Sequence, residues 1–177
     1  KDRIDNENHN IYSILGMISH INDFPKDLEG KKVVVVGGGA VGLDVVEFFA
    51  DRNADISIVE MMDQIGRDLD PVSKNDTKTM MKKHNVHQLT KTALLEVKDS
   101  SFLVRGDGEP YELPFEYGFV CLGMRAQGQL YQNLTEEFSS EDVEIMNIGD
   151  SQRARRIIDG TQEGRNILTI LEQKGYL

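Results

Sequence analysis

Apolar and polar positions alternate along the chain in blocks that mark its elements. The sharpest block is Lys32-Val33-Val34-Val35-Val36, four valines with no polar break. It predicts a strand buried on both faces, as in a parallel sheet. Directly behind it Val41, Val45, Phe48 and Phe49 recur at helical spacing and predict a helix over 40–52. Asn53-Ala54-Asp55 then turns the chain into a second apolar run, Ile56-Ser57-Ile58-Val59, which ends in Glu60. A strand, a helix and a strand this closely joined predict a right-handed crossover.

Downstream, Asp70-Pro71 puts a capping residue before a proline at the first helical position and predicts a helix over 71–84. Short apolar segments follow at 86–89, 93–98, 101–105, 111–113 and 119–122, punctuated by Gly106-Asp107-Gly108 and Glu109-Pro110. They predict an antiparallel meander feeding a last parallel strand that ends at Gly123. A further strand is expected over 143–148. Ile157, Ile158, Thr161, Leu168 and Leu171 mark a long last helix, capped by Ser151 and closed by Gly175. Gly160 and Gly164 weaken that helix by roughly 1 kcal/mol each relative to Ala, and such glycines mark a place where something packs closely. At the other end, residues 1–10 are polar and expected to be loose. Ile11, Ile14, Leu15 and Ile18 have helical spacing, and 22–30 reads as a linker.

Between the valine run and the first helix lies Gly37-Gly38-Gly39-Ala40-Val41-Gly42, and Glu60 stands eighteen residues beyond Gly42. A glycine pattern alone is weak. With a buried strand before it, a helix after it and an acid at the end of the next strand, it is the layout of a dinucleotide-binding unit. A Cβ at Gly37 or Gly39 would obstruct a pyrophosphate approaching the backbone or forbid the turn, and Gly42 lets the helix pack on the strand. The helix starting near Ala40 points free N–H groups and its positive end at the phosphates. The two oxygens of Glu60 can take both adenosine ribose hydroxyls. A 2′-phosphate there would meet like charge, since Met61 and Met62 follow and the first arginine after them is Arg67. NAD(H) is therefore expected over NADP(H). The fingerprint serves FAD equally, and these residues alone leave that choice open. The bland alternative is a glycine turn that only packs a helix on a sheet. The fold class expected is α/β: a Rossmann-like parallel sheet with an antiparallel β-meander, followed by a strand and a long C-terminal helix.

Charge and composition narrow the partners. A net charge of −10 and a pI near 4.8 argue against nucleic acid or an anionic membrane as the main partner. No apolar run approaches the roughly 18 to 20 residues that span a bilayer, and no basic segment followed by an apolar one reads as a secretory signal. The chain opens on Lys1 rather than Met, which reads as a fragment or a processed product. Cys121 is the single cysteine, so neither an internal disulfide nor a cysteine-based zinc or iron–sulfur site is expected. It reads as a small core residue at a strand end, and the lack of cysteine pairs fits a reducing cytoplasm.

Other residues have plain readings. His84 and His87 lack a third ligand and read as surface residues, so no metal site is expected. Met80 and Met81 read as core filling. Arg153, Arg155, Arg156 and Arg165 read as a solvated helix face balanced by Asp159 and Glu163, with a flavin phosphate or a partner domain as the alternative. No nucleophile–base arrangement is visible, and no catalytic residue is assigned.

The segment 37–44 resembles the nucleotide motif of the NAD domain in the pyridine-nucleotide-disulfide oxidoreductase superfamily, where the position of Asp44 is usually Glu and lies near the nicotinamide. Phe119-Val120-Cys121-Leu122-Gly123-Met124-Arg125 resembles the stretch that returns the chain to the FAD domain. Asn147-Ile148-Gly149-Asp150-Ser151 resembles the second FAD motif, whose Asp binds the ribityl chain. Residues 150–165 look most like the end of the NADH:flavin oxidoreductase branch. That branch is fused behind an Old-Yellow-Enzyme-like barrel and includes 2-enoate and 2,4-dienoyl-CoA reductases. The resemblance covers about 30–177. It implies an N-terminal segment and linker over 1–29, an NAD(H)-binding domain over 30–125, and the C-terminal part of a split FAD domain over 126–177. The implied NAD(H) contacts are Gly37, Gly38, Gly39, Ala40, Val41, Gly42, Asp44, Glu60, Met61 and Gly123, and the implied FAD contacts are Gly149 and Asp150. A first FAD fingerprint, the FMN barrel and the iron–sulfur cysteines have no counterpart in the chain. The resemblance thus implies the C-terminal piece of a larger flavoenzyme, inactive by itself, with the rest of that enzyme as its partner. Association with a second copy of the chain stays open.

Three functions compete. The first is an NADH-binding domain that positions nicotinamide for a flavin held elsewhere. The second is a non-catalytic NAD-sensing module, which leaves the Gly149-Asp150 motif unexplained. The third is a self-contained dehydrogenase, for which no acid, base or substrate pocket can be named.

Overall fold

The computed structural model describes residues 3–6, 8–140 and 143–176. Their elements are β1 (Ile11–Tyr12), α1 (Ile14–Ser19), β2 (Lys32–Val36), α2 (Ala40–Ala50), β3 (Asp55–Val59), α3 (Pro71–Lys83) and β4 (His87–Leu89). β5 (Ala93–Val97), β6 (Ser101–Arg105), β7 (Tyr111–Pro114), β8 (Tyr117–Val120), α4 (Gln129–Glu137) and α5 (Ile157–Gln173) follow. The chain forms two compact units, one reaching Gly123 and the other beginning at Met124.

The first unit is α/β and Rossmann-like. Its parallel sheet runs β1-β8-β2-β3-β4, and a second, antiparallel sheet runs β5-β6-β7. β2 lies at the centre, and its valines divide between two cores. Val33 and Val35 join Val45, Val46 and Phe49 of α2, while Val34 and Val36 join Phe102 and Val104 of β6. An unbroken valine run is therefore what a layer covered on both sides requires. On the α2 side, Phe49 meets Phe119 at 4.8 Å and Phe24 at 5.2 Å between ring centroids. Burying each such ring stabilises the fold by about 1.5–3 kcal/mol.

Local chemistry ends the helices where the pattern indicates. The Asp70 carboxylate accepts the Val72 and Ser73 N–H groups and the Ser73 hydroxyl, and Pro71 follows at the first helical position. The bonds from Ser73, with help from Val72, hold the Asp70 carboxyl below the usual range. Asn53 after α2 and Asn85 after α3 take positive φ values of 60° and 51°, the left-handed conformation that stops a helix.

Several expectations need correction. Ile11 and Tyr12 are not helical but form an edge strand parallel to β8, because a sheet edge beside Gly118 and Phe119 is open to them. The linker is not merely connective: Phe24 and Leu28 are buried, and the Leu28 N–H donates to Arg52 O at 2.7 Å. Lys1, Asp2 and Glu7 lie outside the described residues. Asp5, by contrast, is fixed, its N–H donating to Ile11 O and its carboxylate accepting the Ser13 N–H, both at 2.8 Å. β4 belongs to the parallel sheet beside β3 rather than to the meander.

The second unit departs further from the pattern. Residues 143–148 form no strand: their described neighbour is helix α5, and no described strand pairs with them. Ser151 does not cap α5. It sits in a 3-10 turn, Gly149–Ser151, where its hydroxyl is used by Asn147 and Ile148. α5 starts six residues later, with Asp159 closing back on the Arg156 N–H at 3.1 Å. α4 carried no clear signal in the sequence. Among the described residues of this unit, none is buried. No helix among the described residues is long and apolar enough to cross a membrane.

Candidate functional site

The glycine turn lies at the carboxyl end of β2, between the ends of β3 and β8. Gly37 has φ +111° and its N–H donates to Val59 O at 2.8 Å. A Cβ there would come within 2.2 Å of the Cys121 carbonyl oxygen. The turn thus needs glycine for its conformation and for its fit against β8. Gly42 meets the turn itself: a Cβ would stand 1.8 Å from Gly37 O, with Val35 Cγ1 behind at 3.5 Å. The third glycine of the pattern therefore brings α2 onto the turn more than onto the strand. Gly39 differs, because a Cβ added to it would have no protein atom within 4 Å. The space it leaves open belongs to the cleft in front of α2.

Glu60, one residue past β3, points back at this turn. Its Oε2 accepts the Gly38 N–H and its Oε1 accepts the Met62 N–H, each at 2.7 Å. The loop beyond is tied in as well, with the Gly66 N–H donating to Gly38 O at 2.7 Å. The backbone of Glu60 is held from both directions, its N–H by Leu89 O and its carbonyl by the Thr92 N–H, at 2.9 Å each. The acid is therefore set by the Gly38 turn and the 89–92 segment, both distant in sequence, and by its near neighbour Met62.

These residues surround a cleft of about 520 Å³, in the range of small-molecule sites. Gly37, Gly39, Ala40 and Val41 form its floor. Glu60 and Met61 stand over the end of β3, Ala93 and Leu94 come from β5, and Cys121, Leu122 and Gly123 stand over the end of β8. α2 has no side-chain cap, so the amides of its first turn lack partners within the helix. Met61 and Leu122 are 68% and 67% exposed, apolar surface on either side of the turn. Burial pushes the Cys121 thiol up to about 11 and keeps it neutral. Backbone donors, one carboxylate and apolar walls make this a surface for holding an anionic, partly apolar ligand. Among the described residues its lining presents no histidine or lysine as an acid–base group.

The site residues expected from the sequence fall in three places. Gly37, Gly39, Ala40, Val41, Glu60, Met61 and Gly123 line the cleft; Gly38 and Gly42 support it from behind. Asp44 does not line it. It faces the groove between α2 and α3, beside Glu47, Ser73 and Asp76. Gly149 and Asp150 belong to the second unit. Gly149 has φ +64° and its N–H donates to Glu163 Oε2 at 2.7 Å; Asp150 Oδ1 accepts the Arg155 N–H at 3.3 Å. Sequence reasoning missed Thr92, Ala93, Leu94 and Leu122. Leu122 was detectable as the residue before Gly123. The β5 residues reach the cleft only through the stacking of the two sheets, which no local pattern encodes.

Comparison with known proteins places the chain in context. A family model described as pyridine nucleotide-disulphide oxidoreductase matches residues 4–147. The metal reductase of Desulforamulus reducens is 26% identical over 167 residues, covering 77% of this chain and 24% of that protein. The NADH oxidase of Thermoanaerobacter brockii is 25% identical over 159 residues, covering 89% and 24%. A solved 2-naphthoyl-CoA reductase, in complex with 2-naphthoyl-CoA, has a TM-score of 0.66 at 19% identity over 89% of this chain and 23% of that one. This last likeness is one of fold. The chain spans about a quarter of the length of the curated relatives it matches.

Proposed function

Because the chain belongs to the pyridine nucleotide-disulphide oxidoreductase family, we propose that residues 30–125 are the NADH-binding domain of a flavin-dependent oxidoreductase. The observation that carries this reading is the Glu60 carboxylate, fixed by two backbone N–H groups beside the uncapped start of α2. The cradle fits a dinucleotide. The pyrophosphate sits in the space left open at Gly39, against the Ala40 and Val41 amides, where the helix end favours negative charge. Each Glu60 oxygen keeps a free lone pair for a ribose hydroxyl. The carboxylate repels a 2′-phosphate, which favours NADH over NADPH. When bound, the nicotinamide supplies a hydride to a flavin. The protein's part is to bind, orient and shield, and the neutral Cys121 and apolar Leu122 suit that task beside the β8 end.

In the same reading residues 126–177 are the C-terminal part of a split FAD domain, with Asp150 turned to the flavin ribityl chain, and 1–29 lead into the NADH domain. Two features support this. The second unit has no buried side chain among its described residues, and Ile157 and Leu168 of α5 are 91% and 64% exposed. Such a face needs a cover, and relatives about four times longer have the length for one. The remainder of the enzyme is the proposed partner, with an FMN barrel as in the NADH:flavin oxidoreductase branch. The lone cysteine supports a cytoplasmic setting. Following nicotinamide fluorescence while NADH is titrated into the chain tests the reading. Saturable enhancement is expected, and no change at millimolar NADH contradicts it.

A further inference from the structure

Glu163 on α5 is the hub of a polar cluster that the NADH cleft does not use. Its Oε2 accepts the Gly149 N–H at 2.7 Å, and its Oε1 is paired with the Arg155 guanidinium. The backbone N–H of the same Arg155 reaches Asp150 Oδ1 at 3.3 Å, so one residue grips both sides of the turn. The two glycines inside α5 explain how the turn comes so near the helix. A Cβ on Gly160 would lie 3.3 Å from the Gly149 Cα, and one on Gly164 would lie 3.9 Å from Ile148 Cδ1. What packs closely against Gly160 is therefore the Gly149 backbone, while Gly164 meets the end of the Ile148 side chain at ordinary contact distance.

We infer that Glu163 is the positioning residue of the Gly149-Asp150 turn: its carboxylate fixes the Gly149 N–H and thereby the direction in which Asp150 is presented to the flavin. The flavin part of this role rests on the flavoenzyme reading. A solvated ion pair with Arg155 alone would add little, and it would not involve the backbone of the turn. The N–H of Gly149 distinguishes the two. That bond, with Arg155 behind it, holds the Glu163 carboxyl below the usual carboxylate range. Glycine adopts the φ of +64° found at Gly149 without strain, so its conformation alone does not fix the turn; the unit has no buried side chain among its described residues to do so, and the bond to Glu163 is the restraint at hand. A glutamine at this position keeps one acceptor oxygen for the Gly149 N–H but loses the charge and the Arg155 pair, since its NH2 arm then faces the guanidinium. An alanine loses both.

Amide hydrogen exchange and the amide proton shift of Gly149, measured by NMR on the full chain and on its Glu163→Gln and Glu163→Ala variants, test the inference. The alanine variant is expected to exchange Gly149 at least tenfold faster and to move its amide proton upfield. The glutamine variant is expected to stay within threefold of the original. Amides of β2 serve as the control for the rest of the chain. Unchanged exchange and shift at Gly149 in the alanine variant would overturn the inference, as would equal losses in both variants. NADH titration of the unmodified chain on the same samples judges the functional reading separately. If NADH fails to bind while Gly149 responds as expected, the flavoenzyme reading falls and the restraint on the turn remains.

Discussion

The Gly38 N–H donates to Glu60 Oε2 at 2.7 Å, and the Glu60 side chain occupies the ground that a Gly38 Cβ would need, with its Cβ 3.1 Å from that position. Sequence separates the two by 22 residues, and the register of β2 on β3 brings them together. The acid thus braces the turn, and in the proposed reading it also faces the ligand. Glu60→Gln keeps one acceptor oxygen for Gly38 but turns the other arm into a donor that faces the Met62 N–H. Glu60→Ala removes both bonds. NADH affinity is expected to fall in both variants, by about tenfold or more in the alanine form, or ~1.4 kcal/mol per tenfold. Fluorescence titration of the three proteins checks this.

The glycines of the turn are expected to separate fold from binding. Gly37→Ala places a Cβ against the Cys121 backbone at positive φ, and Gly42→Ala places one against Gly37 O. Each is expected to destabilise the chain by about 2–4 kcal/mol through strain and overpacking. Gly39→Ala meets no protein atom within 4 Å. Its stability is expected to stay within about 0.5 kcal/mol, while NADH binding weakens at least tenfold. Urea denaturation and NADH titration on the same proteins give both quantities.

Cys121 gives the first unit an alkaline limit. The folded chain keeps the thiol neutral up to about 11, whereas an exposed thiol ionises near 8.5. Stability is thus unaffected below about pH 8.5 and is lost as pH rises from there towards 11. The full loss is on the order of 1–3 kcal/mol. Urea midpoints for the original chain and Cys121→Ala at pH 8 and pH 10.5 isolate it from other groups titrating there. The gap between the two proteins is expected to shift in favour of the alanine variant at the higher pH.

The two units are expected to differ in stability. β2 and α2 contribute side chains at or near 0% exposure, while the second unit has no buried residue among those described. Limited proteolysis is expected to cut first beyond Gly123 and to leave a resistant product ending near it. Initial cleavage within the parallel sheet would contradict this.

Much of the first unit was legible because its signals are local. Four valines announce a doubly covered strand, Asp70-Pro71 announces a helix start, and the glycines with Glu60 announce the cleft. Ile11 and Tyr12 misled because two residues of edge strand carry no period, and their strand exists only through β8. β4 misled because a short strand has the same composition whether its neighbour runs parallel or antiparallel. The pairing of Gly149 with Glu163 was hidden by distance along the helix, although the glycines at 160 and 164 marked the place. Asp44 was carried by resemblance alone, and its position on α2 turns it towards α3.

The central claim is that the cleft between Gly37 and Glu60 holds NADH. Calorimetric titration of the 177-residue chain with NADH and with NADPH tests it most directly. Single-site binding of NADH and at least threefold weaker binding of NADPH are expected, because in the proposed reading the Glu60 carboxylate faces the 2′ position. Tighter binding of NADPH, or binding of neither, would contradict it.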